Sequence, residues 1–142
     1  RRGDRVGDAG GRGGAGIRGG AGLEKGDGVK ILCSYCSAAK REDAGLLPAI
    51  ERYLSARLRV LWLRGRAQST PLFILSGELG LLHAEEPIPW YDHLLQPSEV
   101  VALADGIAVR LRDLRVDTVE YHTAPPAEYP TVRPYFDAIS VA

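Results

Sequence analysis

The segment Cys36-Ser37-x-x-Lys40 has the residue types of an anion-binding turn. It follows an apolar run at residues 29–34, so we expect it to connect a strand to a helix. Backbone N–H groups at a helix start, together with the Ser37 hydroxyl and the Lys40 ammonium, could converge on a phosphate. In the alternative interpretation, Cys36 is a buried thiol and Lys40 is a solvated lysine.

Glu78 and Asp92 are the candidate catalytic residues, because carboxylates can stabilise or trap an oxocarbenium-like centre during cleavage of an N-glycosidic bond. Glu78 lies in a polar turn with Ser76 and Gly80, and Asp92 follows Tyr91 in a proline-rich loop. Ser76, Gly80 and Tyr91 are candidate ligand-binding residues, with Tyr91 stacking on the ligand or hydrogen-bonding to it. In the alternative interpretation, Glu78 caps a turn and Asp92 starts one.

Cys33 and Cys36 could also form a redox pair or supply half of a zinc site. Structural zinc would need two further ligands at regular spacing, and His83, His93 and His122 are scattered along the chain. A dithiol motif normally lies at a helix start, whereas Cys33 is expected within a strand. We therefore predict no metal and no cofactor.

These candidate residues require a sheet that ends beside them, and four short apolar runs predict its strands. They are residues 29–34, 59–63, 72–75 and 116–121. Residues 72–75 predict a buried strand, and α/β proteins build sites at the C-terminal ends of such strands. The linker of eight residues after residue 63 is short for a parallel crossover. We therefore expect residues 59–63 to pair antiparallel with residues 72–75 or to lie at an edge.

Three segments with apolar residues at helical spacing predict helices. The first begins near Pro48 and extends to Leu58, the second is residues 97–114, and the third is residues 130–139. Strands that alternate with helices predict the α/β class. We expect a single domain with a mostly parallel sheet of about four strands and helices on both faces.

Residues 1–28 differ from the rest of the chain, since they hold 12 of its 17 glycines. Such a segment buries too little apolar surface to offset its backbone entropy, so we expect a glycine-rich disordered tail before an α/β domain at residues 29–142. Residues 11–16 match a dinucleotide fingerprint, but without the strand and helix that it needs. Alternatively, translation begins at Val29, because the chain has no Met and a valine codon can start translation in bacteria.

The overall charge argues against generic binding to nucleic acid. From Val29 onward the chain has 12 basic and 14 acidic residues, whereas neutralisation of phosphates supplies most of the non-specific affinity for a duplex. No apolar run approaches the length of about 18 residues that a membrane span needs. We expect a cytoplasmic protein.

Several loop residues are more apolar than solvent exposure requires. They are Leu81, Leu82, Ile88, Trp90, Leu94 and Leu95. We expect this segment to be covered in part, either by the helix at residues 97–114 or by a second subunit.

The pattern Cys36-Ser-x-x-Lys40, the run at residues 74–82 and the pattern Glu86-Pro-Ile-Pro-x-Tyr-Asp92 resemble the YaaA-like superfamily. The chain is most similar to the small uncharacterised bacterial relatives in that group. The resemblance covers residues 30–140 loosely and 72–95 well, and it implies an α/β domain. For the larger members it also implies a link to peroxide stress and DNA binding.

Carried over position by position, the resemblance supports seven site candidates. They are Cys36, Ser37, Lys40, Ser76, Gly80, Tyr91 and Asp92. Gly77-Glu78 stands where the family usually has Ala-Lys or Ala-Glu, and the basic DNA-binding additions of the larger members are absent.

Two classes of function follow. In the first, the protein binds a nucleotide or another phosphate-bearing ligand and acts on an N-glycosidic or related bond. In the second, it is a non-catalytic stress-response module that recognises nucleic acid or a partner protein. The balance of charge favours the first class.

Overall fold

The structure, a computed structural model, describes residues 28–142 and the backbone of Ile17 and Arg18. The predicted tail at residues 1–28 lies outside the described residues, except for Gly28 and this dipeptide. In chain order the elements are β1 (Ile17–Arg18), β2 (Val29–Tyr35), β3 (Leu47–Pro48), α1 (Ala49–Arg52), α2 (Ala56–Gln68), β4 (Leu72–Ser76), β5 (Gly80–His83), β6 (Pro87–Ile88), α3 (Val100–Asp113), β7 (Val116–His122) and α4 (Arg133–Val141).

The main sheet has the strand order β1-β7-β2-β4-β5, and its centre is parallel. Cys33 of β2 lies opposite Phe73 of β4 on one side and Tyr121 of β7 on the other, both in parallel register. The outer strands β1 and β5 run antiparallel to their neighbours. The α/β class is therefore confirmed, while the parallel part of the sheet is limited to β7, β2 and β4.

Helices cover the two faces of this sheet. On one face the Arg57 side chain of α2 hydrogen-bonds to Ser34 of β2. On the other face Tyr135 of α4 packs on Tyr35, with 6.2 Å between the ring centroids. The faces alternate because successive strand side chains point to opposite sides.

The prediction of a strand at residues 59–63 is wrong, because these residues lie within α2. Ser55 caps the helix, since its hydroxyl accepts a hydrogen bond from the Leu58 N–H at 3.1 Å. Leu58 and Leu61 are buried, whereas Val60 and Leu63 are 62% and 55% exposed. Half of the apolar run that suggested a strand is thus the solvent face of a helix.

The antiparallel partner of β4 is β5, which the sequence did not predict as a strand. A tight turn connects β4 to β5 and places Ser76 opposite Gly80 in the antiparallel pair. Gly80 has a φ of 88°. A positive φ favours glycine because it lacks a Cβ. β5 spans only Gly80–His83, which is too short to give a clear alternating pattern.

The remaining helix predictions hold with adjusted boundaries. The first predicted helix divides into α1 and α2 around Tyr53 and Leu54. Helices α3 and α4 each follow one 3-10 turn, at Pro97–Glu99 and Pro130–Val132. Among the described residues, no helix has the length and apolar character needed to cross a membrane.

The chain covers most of its own apolar loop. Leu81, Leu82, Ile88 and Leu95 are buried within the described part of the molecule. Trp90 and Leu94 remain 48% and 51% exposed.

Candidate functional site

Two parallel strands bring the predicted clusters to one edge of the sheet. Tyr35 lies opposite Leu75, and the Cys36 N–H donates a hydrogen bond to the Leu75 carbonyl at 3.0 Å. Cys36 and Ser76 therefore lie next to each other at the carboxyl ends of β2 and β4. The carboxyl ends of parallel strands share an edge, so this position follows directly from the topology.

A buried chain of three hydroxyl groups occupies this edge. The Tyr53 and Tyr91 hydroxyls lie 2.5 Å apart, and the Ser76 hydroxyl donates to the Tyr91 oxygen at 2.8 Å. Ser76 in turn accepts hydrogen bonds from the N–H groups of Glu78 and Leu79. This chain ties the turn after β4 to the loop that carries Tyr91.

The two phenols in this chain are neutral at physiological pH. Burial and the nearby Cys36 raise the pKa of Tyr91 and of Tyr53 above its ordinary value. Neutral phenols can donate and accept hydrogen bonds without bringing a negative charge to the site. The edge is therefore compatible with an anionic ligand.

Cys36 contacts the hydroxyl of another tyrosine, Tyr135, rather than a second thiol. Its Sγ lies 3.9 Å from the Tyr135 hydroxyl, which also accepts a hydrogen bond from the Leu95 N–H at 3.1 Å. Cys33 and Cys36 are both free and buried, and burial raises the pKa of the Cys33 thiol. Within residues 28–142, no group of three or more His, Cys, Asp or Glu side chains could hold a metal ion.

Lys40 lies over the Tyr91 ring at this edge. Its Nζ is 4.5 Å from the Tyr91 ring centroid and donates to the Ala38 carbonyl at 3.3 Å. The lysine is half-buried, and its backbone forms a β-bridge with Tyr53. Among the described residues no carboxylate forms an ion pair with Lys40, so two of its N–H donors are available.

The predicted strand-to-helix turn at Ser37 and Lys40 is wrong. Residues 37–46 form a loop, and no helix begins there. Ser37 is buried, and its hydroxyl donates to the Ala39 carbonyl at 2.7 Å. The Ser37 hydroxyl proton is therefore used in a hydrogen bond within the loop, and it is not directed towards a ligand.

Glu78 lies in a cluster of two carboxylates and one imidazole. Its Oε1 is 3.4 Å from Nδ1 of His93, and the Nε2 of His93 is 2.9 Å from Oε1 of Glu99. The Gln96 N–H and then His93 lower the pKa of Glu99. His93 thus bridges the two carboxylates.

The other predicted residues lie outside this cluster. Asp92 is exposed, and its carboxylate forms no hydrogen bond or ion pair with a described residue. Gly80 shapes the turn between β4 and β5. The structure thus brings together Cys36, Lys40, Ser76 and Tyr91, with Glu78 beside them, whereas Asp92 does not join the group.

Sequence reasoning missed several residues that shape this edge. They are Tyr53, Arg57, His93, Glu99 and Tyr135. The buried Arg57 fixes the end of β2, because its guanidinium donates to the Ser34 hydroxyl at 2.6 Å and the Tyr35 carbonyl at 2.8 Å. The only sequence signal for it was an arginine at the second position of a helix whose cap is Ser55.

A surface pocket of about 500 Å³ opens beside the Tyr91 loop. Its lining consists of Glu42, Asp43, Ala44, Gly45, Leu46, Pro89 and Trp90.

Searches of protein-family models, curated proteins and solved structures find no match to the chain. The resemblance to the YaaA-like superfamily therefore stays a prediction.

Proposed function

We propose that this domain binds a nucleotide or another phosphate-bearing small molecule at the carboxyl edge of β2 and β4. The observation that carries the proposal is Lys40, a half-buried residue whose ammonium has no carboxylate partner among the described residues. A cation in such a position gains a strong charge-assisted hydrogen bond when an anion arrives. The neutral phenols of Tyr53 and Tyr91 add no competing negative charge.

The proposed chemistry is cleavage of an N-glycosidic bond. The bond between the sugar carbon and the base nitrogen breaks, and its electron pair leaves with the base. His93 in its protonated form gives a proton to that base, and Glu78 stabilises the oxocarbenium-like sugar. A water molecule then adds to the sugar carbon and loses a proton to the neutral His93, which regenerates the starting state. The 3.4 Å distance between Glu78 and His93 supports a shared role.

Calorimetric titration with AMP, ATP and inorganic phosphate tests the binding proposal. We expect the wild type to bind at least one of them, and Lys40→Ala to weaken that binding by about 1.5–3 kcal/mol. Arg59→Ala is the matched control, because Arg59 is exposed on α2 and pairs with no described carboxylate. Absence of binding by the wild type would overturn the proposal.

Release of free base from nucleotides, followed by chromatography, tests the chemistry separately. Glu78→Gln should bind ligand as the wild type does but lose turnover, because the carboxylate acts only on the developing positive charge. Binding without any base release by the wild type would leave a binding protein and remove the catalytic part.

A second candidate is a non-catalytic module that recognises a partner, as a stress-response protein would. It is supported by apolar side chains left exposed at this edge, namely Leu46, Trp90 and Leu94. This candidate predicts no nucleotide binding by the wild type. Mobility-shift titrations with single-stranded and duplex DNA would identify a nucleic-acid partner.

A further inference from the structure

Lys40 and Tyr53 lie opposite each other in a short antiparallel pairing of the backbone. On one side of this pair the Leu54 N–H donates to the Ala39 carbonyl at 2.9 Å, and a second backbone hydrogen bond closes the other side. Residues enclosed in this way form a non-hydrogen-bonded pair, whose side chains lie close together on one face. The Lys40 Nζ is accordingly 6.0 Å from the centroid of the Tyr53 ring and 4.5 Å from that of Tyr91.

The second backbone hydrogen bond comes from the Arg41 N–H, which donates to the Arg52 carbonyl at 2.8 Å. The Arg52 side chain is fully buried, and its Nη1 donates to the carbonyls of Arg41 at 2.8 Å and Asp43 at 2.9 Å. Its Nη2 donates to the Gly45 carbonyl at 2.6 Å. One buried cation therefore fixes the loop after Lys40 and supports the backbone that places the ammonium against the phenols.

Ser76, Tyr53 and Tyr91 hold three hydroxyl protons, but the two contacts among them use only two. Burial raises the pKa of both phenols, so each phenol keeps its proton. The Ser76 oxygen accepts the N–H groups of Glu78 at 3.1 Å and Leu79 at 2.9 Å, which fills both of its lone pairs. The Ser76 proton therefore goes to Tyr91, and one more proton lies between the two phenols. The remaining phenol proton, the spare proton, has no acceptor within residues 28–142.

Accessibility decides which phenol carries the spare proton. Tyr53 is 1% exposed and Tyr91 is 9% exposed, so Tyr91 is the one that borders solvent. A Tyr53 proton directed away from Tyr91 would be a buried donor without a partner, which is unfavourable. If Tyr53 instead donates to the Tyr91 oxygen, the spare proton lies on Tyr91 and can turn towards the accessible side.

The Tyr91 oxygen then accepts two hydrogen bonds, from Ser76 and Tyr53. Hydrogen bonds in a chain polarise one another, so a hydroxyl that accepts two becomes a stronger donor. The neighbouring Lys40 has two N–H donors that no described residue accepts. Lys40 and Tyr91 therefore both present donors, and their natural partner is an oxygen that only accepts, as in a phosphate or a carboxylate.

We infer that Ser76 and Tyr53 direct the Tyr91 proton outward, and that Tyr91 donates it to the anionic group that Lys40 binds. The inference rests on the proposed function and assigns Tyr91 as a hydrogen-bond donor rather than a stacking surface. Lys40 already lies over the Tyr91 ring, which leaves that face closed to a ligand ring. Ser76 and Tyr53 are positioning residues, because they act through the Tyr91 hydroxyl.

Carbon-13 labelling of the tyrosine Cζ atoms tests the inference in the wild-type protein. The chain has six tyrosines, and single Tyr→Phe variants assign their signals. AMP and inorganic phosphate should each shift the Tyr91 Cζ signal to saturation, because Cζ responds to hydrogen bonding at its hydroxyl. Adenosine, which lacks the anion, should leave the Tyr91 signal in place. Tyr129 is exposed and serves as the internal control, whose signal should not move.

The outcomes of this titration separate the inference from the proposed function. A saturable shift of the Lys40 amide signal with AMP, without any change at Tyr91, would overturn the inference and leave the proposed function standing. An equal Tyr91 shift with adenosine would also overturn the inference, since the partner would not be the anion. No shift anywhere with AMP would overturn the proposed function itself.

Affinities of three Tyr→Phe variants for AMP give a second test. Tyr91→Phe should weaken binding by about tenfold or more, because a hydrogen bond to a charged oxygen is lost. Tyr53→Phe should weaken it by only about two- to fivefold, because Tyr91 keeps its proton and loses one polarising partner. Tyr129→Phe should bind as the wild type does.

The order of these affinities identifies the donor. In Tyr53→Phe, phosphate should still shift the Tyr91 Cζ signal, which a purely structural role of Tyr53 would not predict together with weaker binding. A larger loss of affinity in Tyr53→Phe than in Tyr91→Phe would place the spare proton on Tyr53 and overturn the assignment. Wild-type affinity in Tyr91→Phe, alongside weakened binding in Lys40→Ala, would overturn the inference and leave the proposed function standing.

Discussion

The imidazoles of His122 and His93 each contact a glutamate carboxylate, and the charge balance differs between these two regions. On β7, the Glu120 carboxylate lies 3.0 Å from Lys30 Nζ, 2.5 Å from Arg64 Nη2 and 2.7 Å from His122 Nε2. Although partial burial raises the pKa of Glu120, hydrogen bonds from these three partners lower it to about 2. This carboxylate is fully matched by neighbouring donors.

The region after β4 has the opposite balance. There the His93 imidazole lies within ion-pair distance of both Glu78 and Glu99, and no described Lys or Arg forms an ion pair with either carboxylate. Lys40, at the same edge, has no carboxylate partner within residues 28–142. Matched charges stabilise a fold, whereas charges left unmatched at a strand edge are available to a ligand. We therefore expect substitutions around Glu120 to lower the free energy of unfolding, and substitutions at Lys40 and Glu78 to impair ligand binding or turnover.

Arg57→Met should give the largest loss of stability, about 3 kcal/mol. The substitution leaves the buried Ser34 hydroxyl and the carbonyls of Tyr35 and Cys36 without their donor. Denaturant unfolding would measure the loss. A change below about 1 kcal/mol would mean that water replaces the guanidinium at this position.

Glu120→Gln should lower the free energy of unfolding by about 1–2 kcal/mol at neutral pH, after allowance for solvent screening. The folded pKa of Glu120, about 2, lies below its ordinary value of 4.5. Its contribution is therefore complete above the ordinary value and is lost as the pH falls from about 4.5 towards 2. The difference between wild type and variant should shrink over that range. Glu78→Gln, the matched control, should change stability by less than about 0.5 kcal/mol.

His93→Gln should have the smallest effect on stability, within about 0.5 kcal/mol, because the side chains of the His93 cluster are partly exposed and solvent screens their ion pairs. His122→Gln should cost more, since His122 is buried and bonded to Glu120. Thermal unfolding of the two variants side by side measures the contrast. Equal losses of stability in His93→Gln and His122→Gln would contradict the proposed difference between the His93 cluster and the Glu120 cluster.

The sequence predicted the strand ends better than the side chains that meet there. The apolar runs at residues 29–34 and 72–75 identified β2 and β4, and a parallel pair must end at one edge. The run at residues 59–63 misled, because periodicity over five residues cannot separate a strand from one turn of a helix. The N-cap at Ser55 and the left-handed C-cap at Ser69 mark these residues as part of one helix.

The site contacts depend on tertiary proximity that spacing does not encode. Tyr53 meets Tyr91 across 38 positions, and Cys36 meets Tyr135 across 99. Arg52 could not be predicted as buried, because arginine is mostly exposed unless specific partners compensate it. The sequence suggested His93 only as a possible zinc ligand, whereas its partners are the carboxylates of Glu78 and Glu99.

Ligand-dependent thermal unfolding of the wild type and Lys40→Ala tests the central claim most directly. Without ligand, Lys40→Ala should lose at most about 1 kcal/mol, the value of its contact with Tyr91. With AMP in excess, the wild type should gain stability by mass action, and the variant should gain little or none. If Lys40→Ala unfolds far below the wild type without ligand, or gains as much as the wild type with AMP, then Lys40 belongs to the fold and not to a binding site.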